Sequence, residues 1–497
     1  MEKSCSPFSS SRMTRSRLKR KYEKKTVIET DVVIIGGGAS GIAAAEIFHN
    51  GNVNFMVLEA DTKIGGRIQS HNFGGNTIEN GANWIVANGL SKEKPSFNLP
   101  IWNLKKKYDI KGNITDWGNA ILLTNEGNKV NKTLLHEWLL KEREVRKLCM
   151  QKGELLWTIA TNKKLQNPEH FDISMKECYE QYNYMDFGLS KLQKSVASAV
   201  AMSEVDFSLA LPSSNVSVML VTLEELLRPV KFNCDEEYYF VTDQRGYNVF
   251  INRMARNFNT SIRLSHQVTR IDYDESGVYV KGIILDTNFS SKKEFEIRSK
   301  FAISTVSLGV LQKEVIEFRP PLTATKMEAI RGMHMGLAAK VFLKFPYNFW
   351  GDTENFYTFK STWVLNLDHQ KYFPGSNMIT FHFIGDIAIR LESQDIAKTK
   401  LDLMQELHQL FGNSIPDPID IHVTNWTKNP FYYGSWSSLP LGYTSAMWDE
   451  LRKNEETLYF SGEHTNKGNS GFVQGAFRAG QTTAQDVLKK MKEQHPK

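Results

Sequence analysis

The hexapeptide Gly36-Gly37-Gly38-Ala39-Ser40-Gly41 constrains the fold more than any other stretch of the 497 residues. It follows directly on the apolar run 31–35 and leads into the apolar segment 41–48. A strand, a tight glycine turn and a helix in that order form the first half of a βαβ unit, and residues 54–58 supply the second strand. Such a unit opens a parallel sheet covered by helices on both faces, an α/β architecture. Glu59 stands at the end of the second strand, 18 residues after Gly41. In a dinucleotide site the glycines at 36, 38 and 41 let the backbone approach a pyrophosphate, and the helix N-terminus offers it free N–H groups. The acid then accepts hydrogen bonds from ribose hydroxyls and disfavours a 2′-phosphate, hence NADP. Outside this setting, the same glycines would be an ordinary tight turn.

Three further motifs are weak alone and informative together. Lys63-Ile64-Gly65-Gly66-Arg67 permits a backbone bend that aims a guanidinium at phosphate. Ile78-Glu79-Asn80-Gly81-Ala82-Asn83-Trp84 places a carboxylate beside a small-residue turn and an indole. Late in the chain, Phe460-Ser461-Gly462-Glu463-His464-Thr465 and Gly471-Phe472-Val473 read as a strand, a polar turn and a new helix start. That second turn suits the far end of a long cofactor.

Charge is informative only once located. Residues 12–25 carry eight bases and one acid, which exceeds the chain's net charge of +6 and leaves the remainder with about one net negative charge. Residues 1–25 read as a disordered basic tail, with order beginning near Val27. A near-neutral body gives no reason to expect nucleic-acid binding. No apolar run reaches the roughly 18 residues of a membrane span. The first residues lack the apolar centre of a secretory signal, so the cytoplasm is the expected compartment, with nucleus and secretion as alternatives. Cys5, Cys149, Cys178 and Cys234 are few and far apart, with neither a disulfide framework nor metal-ligand spacing. No metal is expected.

The segments IIGGGASGIAAA, LEADTKIGGR, IENGANW, LGVL, AAKVFLKF and FSGEHTNKGNSGFVQGAFRAG occur in this order from about Val27 to about Leu488. In that order the chain resembles the flavin-containing amine oxidases, and within them the plant-type polyamine oxidases. The resemblance implies FAD as cofactor. It implies a Rossmann-like FAD domain built from 27–101, 246–322 and 454–490, interleaved with an α+β substrate domain from 102–245 and 323–453.

By the same resemblance, Gly36, Gly38, Ser40, Gly41, Glu59, Arg67 and Val268 bind the ADP half. Glu463, Val473 and Trp426 face the ribityl and flavin part. Lys340 matches the lysine that holds a water against flavin N5. Trp436 and Phe472 match the aromatics that sandwich the substrate amine, and Glu79 the acid that binds a distal ammonium. The implied reaction is hydride transfer from a polyamine such as spermine or spermidine, with dioxygen as acceptor.

Read without the resemblance, Lys340 and Lys344 share one face of a strand and a lysine there usually meets solvent. Trp436 and Phe472 would be core aromatics, and His464 reads as structural. Three positions depart from the family pattern: Leu211 stands where plant-type members carry an acid, Phe472 where Tyr is common, and Ala338 where an aromatic is common. A histone-demethylase-like oxidase and a flavin-binding protein without turnover are the alternatives. The oligomeric state, monomer or dimer, is left open.

Overall fold

The computed structural model describes residues 27–88, 99–162, 171–186, 188–228, 236–286, 292–351, 355–358 and 365–494. The basic tail lies outside them, as do Cys5 and Cys234. Among the described residues no helix is long and apolar enough to cross a membrane.

The run Asp31-Val32-Val33-Ile34-Ile35 lies in the strand Ile28–Ile35, which pairs in parallel with Phe55–Leu58 on one side and Lys292–Ser304 on the other. Val32, Val33 and Ile34 are wholly buried, as expected for a strand covered on both faces. Leu458–Phe460 joins in parallel beyond Lys292–Ser304, so the beginning, middle and end of the chain share one sheet. The helices Ala39–Asn50 and Val473–Gln494 pack together on it, with Ala43, Ala44, Phe477 and Ala484 in one apolar cluster.

The sheet is mixed and not purely parallel. Lys292–Ser304 runs antiparallel to Gly277–Leu285, which runs antiparallel to His266–Asp274. The sequence suggests a strand only from residue 301. The earlier part alternates Phe295, Ile297 and Ser299, all buried, with charged residues, a half-solvated pattern easily taken for a loop.

A second sheet runs in the order Asp420–Val423, Ala338–Lys344, Met378–Ile384, Leu365–Asp368, Asn355–Thr358, Ala120–Leu123. Ala339, Val341 and Leu343 turn into a core shared with Leu403 and Leu407 of the helix Ile396–Phe411. The alternate residues Lys340, Phe342 and Lys344 face the other way, toward the first sheet's connections. Lys344 Nζ donates to Gly74 O at 2.8 Å.

Helices Lys132–Asn162, Met175–Gln181, Lys191–Ala201 and Val218–Leu227 form the remaining layer. The sequence reads as mostly helical over 173–202, and the structure divides that stretch in two, because Ser190 makes a capping box with Gln193 and starts a new helix. Cys149 and Cys178 form a disulfide that ties Lys132–Asn162 to Met175–Gln181, with Cα atoms 5.9 Å apart. This corrects the expectation of unpaired cysteines: a separation of 29 residues along the chain says nothing about how two helices cross.

Candidate active site

The first glycine turn has the geometry of a phosphate cradle. Gly38 precedes the helix Ala39–Asn50 with an extended backbone and no side-chain cap. A Cβ on Gly41 would lie 1.9 Å from Gly36 O, so the helix can start under the turn only with glycine there. A Cβ on Gly38 would come no closer than 3.9 Å to any protein atom, so that side of the turn is open. Glu59 is buried beside it, with Oε2 accepting from Gly37 N at 2.7 Å and Oε1 from Asp61 N at 2.8 Å. Burial raises its pKa to about 7, and these N–H bonds oppose the rise. His266 N donates to Glu59 O, which brings the strand carrying Val268 alongside. The glycines, the acid and the open helix start fit the ADP half of a dinucleotide.

The C-terminal motif folds back onto this turn. Arg67 Nη1 donates to Glu463 Oε1 at 2.8 Å and to Ser435 O at 2.9 Å. Glu463 Oε2 accepts from Ser437 Oγ at 2.5 Å and Gly471 N at 2.7 Å. Burial would raise the Glu463 pKa, but Arg67, His464 and Ser437 outweigh it and hold the carboxyl below its usual range. Ser40 Oγ lies 2.8 Å from Ser461 Oγ, so this side chain binds the two motifs to each other. Val473 begins the last helix, half-buried, just after Phe472. Burial lowers His464 to about 4, and Trp448 Nε1 donates to its backbone oxygen.

Lys340 crosses from the second sheet to the Glu79–Asn83 loop. Its Nζ donates to Glu79 O at 3.0 Å, Gly81 O at 2.6 Å and Asn83 Oδ1 at 2.7 Å. Burial lowers its pKa to about 7, and the Glu79 carboxylate acts against that. Glu79 is itself raised to about 7 by burial, with Tyr247 N, Ser70 and Lys340 opposing. Its Oε1 takes both Tyr247 N at 2.8 Å and Ser70 Oγ at 2.9 Å. Both side chains line a cavity of about 10 Å³, with Asn83, His369, Thr380 and His382 among its other walls. That is roughly the space of one water. Trp426 is buried against the same loop: its Nε1 donates to Asn80 O at 3.1 Å, and a Cβ on Gly81 would meet its ring at 3.1 Å.

Trp436 lies against the turn that leads into Phe472: a Cβ on Gly471 would lie 3.2 Å from Trp436 Cδ1. Both are half-buried. Leu211 and Ala338 are buried, Leu211 inside the apolar cluster of the helical layer.

Sequence reasoning did not single out Asn83, Ser437, Glu224 or Arg228. Asn83 lies within a quoted motif, yet nothing in its type announces a lysine partner. Glu224 and Arg228 are four apart, which reads as a surface ion pair on a helix. Here the pair is turned inward.

A profile of the flavin containing amine oxidoreductase family matches residues 39–488. Rice polyamine oxidase 6 is 28% identical over 92% of this chain and 90% of its own length. Maize polyamine oxidase 1 is 28% identical with the same coverage. Human lysine-specific histone demethylase 2 is 26% identical over 95% of this chain but 54% of its own length. Among solved structures, putrescine oxidase bound to putrescine superposes with a TM-score of 0.69 at 18% identity, covering 93% of this chain and all of that one. With a family match spanning nearly every described element and a cradle suited to a dinucleotide, the chain belongs to the flavin-containing amine oxidoreductases and its cofactor is FAD.

Proposed function

We propose that this protein oxidises polyamines of the spermine and spermidine class at a secondary amine, producing an aldehyde, an amine and hydrogen peroxide. When bound, FAD supplies the hydride acceptor at flavin N5 and passes the electron pair to dioxygen. The chain's own residues bind, orient and exclude water. Trp436 and Phe472 hold the amine in its deprotonated form, because the nitrogen lone pair becomes the C=N bond as hydride leaves the α-carbon. Water then splits the iminium, and no side chain need act as a strong base. Lys340 Nζ spends its three donors on Glu79 O, Gly81 O and Asn83 Oδ1, so a water held there replaces one of these bonds. Glu79 receives a distal ammonium on the lone pairs that Ser70 and Tyr247 leave free.

The observation that carries this reading is the meeting of Lys340 with the Glu79–Asn83 loop, which sets a lysine of depressed pKa near the Glu79 carboxyl on one face of the second sheet. Polyamine oxidases matched over nine-tenths of their length support the substrate class. A peroxide assay with spermine, and in parallel with a methylated histone peptide, tests it. Peroxide with spermine alone is the expected result. Peroxide with the peptide alone would make the chain a demethylase, and peroxide with neither would leave a flavin-binding protein without turnover.

A further inference from the structure

Phe472 has a partner that the reaction does not call for. The Arg228 guanidinium lies over its ring, 5.1 Å from the centroid. Arg228 stands just past the C-terminus of the helix Val218–Leu227, where the helix dipole favours a cation. Its side chain is 12% exposed and sits between two carboxylates, Glu224 Oε1 and Glu225 Oε2, each at 3.6 Å.

Glu224 also holds the turn that carries Phe472. Its Oε1 accepts from Ser470 N at 2.8 Å. Ser470 Oγ lies 2.9 Å from Ser437 Oγ, which donates to Glu463, the partner of Arg67. A continuous polar chain thus runs from the cofactor-facing arginine through two serines to Glu224 and Arg228. Its end is an ordered cation on one face of an aromatic ring.

We propose that Arg228 and Glu224 are positioning residues for the substrate amine and act through Phe472, an inference that rests on the role given to Phe472 above. Glu224 fixes the backbone of the turn, and Arg228 fixes the plane of the ring. A phenyl ring between helix and cleft has a nearly two-fold torsion and no polar atom to anchor it. A cation over one face supplies the anchor electrostatically. The covered face is closed to substrate, so the amine meets the other face only. A guanidinium already drawing on the ring's electrons also makes the free face a poorer seat for an ammonium than for a neutral amine, the form that oxidation requires.

The test is steady-state oxidation of spermine by the flavin-loaded protein and its variants, with the flavin visible spectrum reporting intact loading. Arg228→Gln is expected to raise KM at least fivefold while kcat changes less than twofold, since the residue touches the ring and not the reacting carbon. Arg228→Lys, which keeps a cation over the ring, is expected to stay within twofold of the parent KM. Glu225→Gln, which removes one anchor of Arg228, is expected to raise KM about twofold. A parental KM in Arg228→Gln with intact flavin would overturn the inference and leave the amine oxidase reading standing. Should Arg228→Gln fail to hold flavin, a parental KM in Glu225→Gln would overturn it equally. If the parent protein turns over no spermine, the substrate reading itself fails and this inference falls with it.

Discussion

Arg67 Nη1 lies 2.8 Å from Glu463 Oε1 although 396 positions separate the two residues. Glu463 is almost fully buried, and the Arg67 side chain is 22% exposed. Neither motif can therefore be completed without the other. Removing one partner of a buried pair leaves the other uncompensated, so Glu463→Ala is expected to destabilise the apoprotein by about 3 kcal/mol and to weaken FAD retention. Urea unfolding measures the first and flavin released on gel filtration the second. Because the folded protein holds this carboxyl below its usual 4.5, the pair's contribution is present above that pH and lost as pH falls through the lower folded value. The variant should lose this acid-side slope.

Gly38 and Gly41 separate two causes that fingerprint mutations usually confuse. Gly41→Ala places a Cβ against Gly36 O within the protein, so it is expected to destabilise the apoprotein as well as to weaken FAD binding. The Cβ of Gly38→Ala comes no closer than 3.9 Å to a neighbouring segment, so it should leave the apoprotein melting temperature unchanged while weakening FAD. Thermal melts of apoprotein beside flavin titrations check both. Equal melting losses in the two variants would contradict the geometry.

Lys340 gives the clearest pH signature. Its pKa falls from 10.5 in the unfolded chain to about 7 in the fold. Between those values the unfolded state binds the extra proton, so stability is expected to rise with pH from about 7 toward 10. Lys340→Met removes the proton and should flatten that rise, as read from melting temperature against pH. The same variant should keep FAD and slow flavin reduction or reoxidation. Unchanged rates in both half-reactions would return Lys340 to a structural role.

The parts legible in the sequence were those with a local signature. The run Val32–Ile35 before Gly36 announced a doubly covered strand, and the glycine spacing announced the turn and helix behind it. Alternation along Ala338–Lys344 put Lys340 and Lys344 on one face, and the structure has both reaching carbonyl oxygens of the segment 74–83. What stayed hidden depends on how distant elements cross. The Cys149–Cys178 bond needs the contact of two helices, and Arg228 needs a helix end placed over Phe472. The strand from Lys292 was hidden because its exposed face is charged.

Leu211 is a second case where position decides. The resemblance to plant-type members implies an acid at this point, and from the sequence alone a carboxylate there looks like an easy gain in polycation binding. The structure puts Leu211 3% exposed among apolar side chains. Leu211→Glu is therefore expected to cost on the order of 3 kcal/mol in urea unfolding, since a buried unpaired carboxyl must stay desolvated or take up a proton. Unchanged stability with a lower KM for spermine would show that this side chain reaches the cleft.

Polyamine oxidation is tested most directly by mixing the flavin-loaded protein with spermine in the absence of oxygen and following the flavin's visible absorbance. The absorbance is expected to bleach, and admitting air should restore it with one hydrogen peroxide formed per flavin. An absorbance that stays at its oxidised level with both spermine and spermidine, in protein that holds its FAD, would contradict polyamine oxidation.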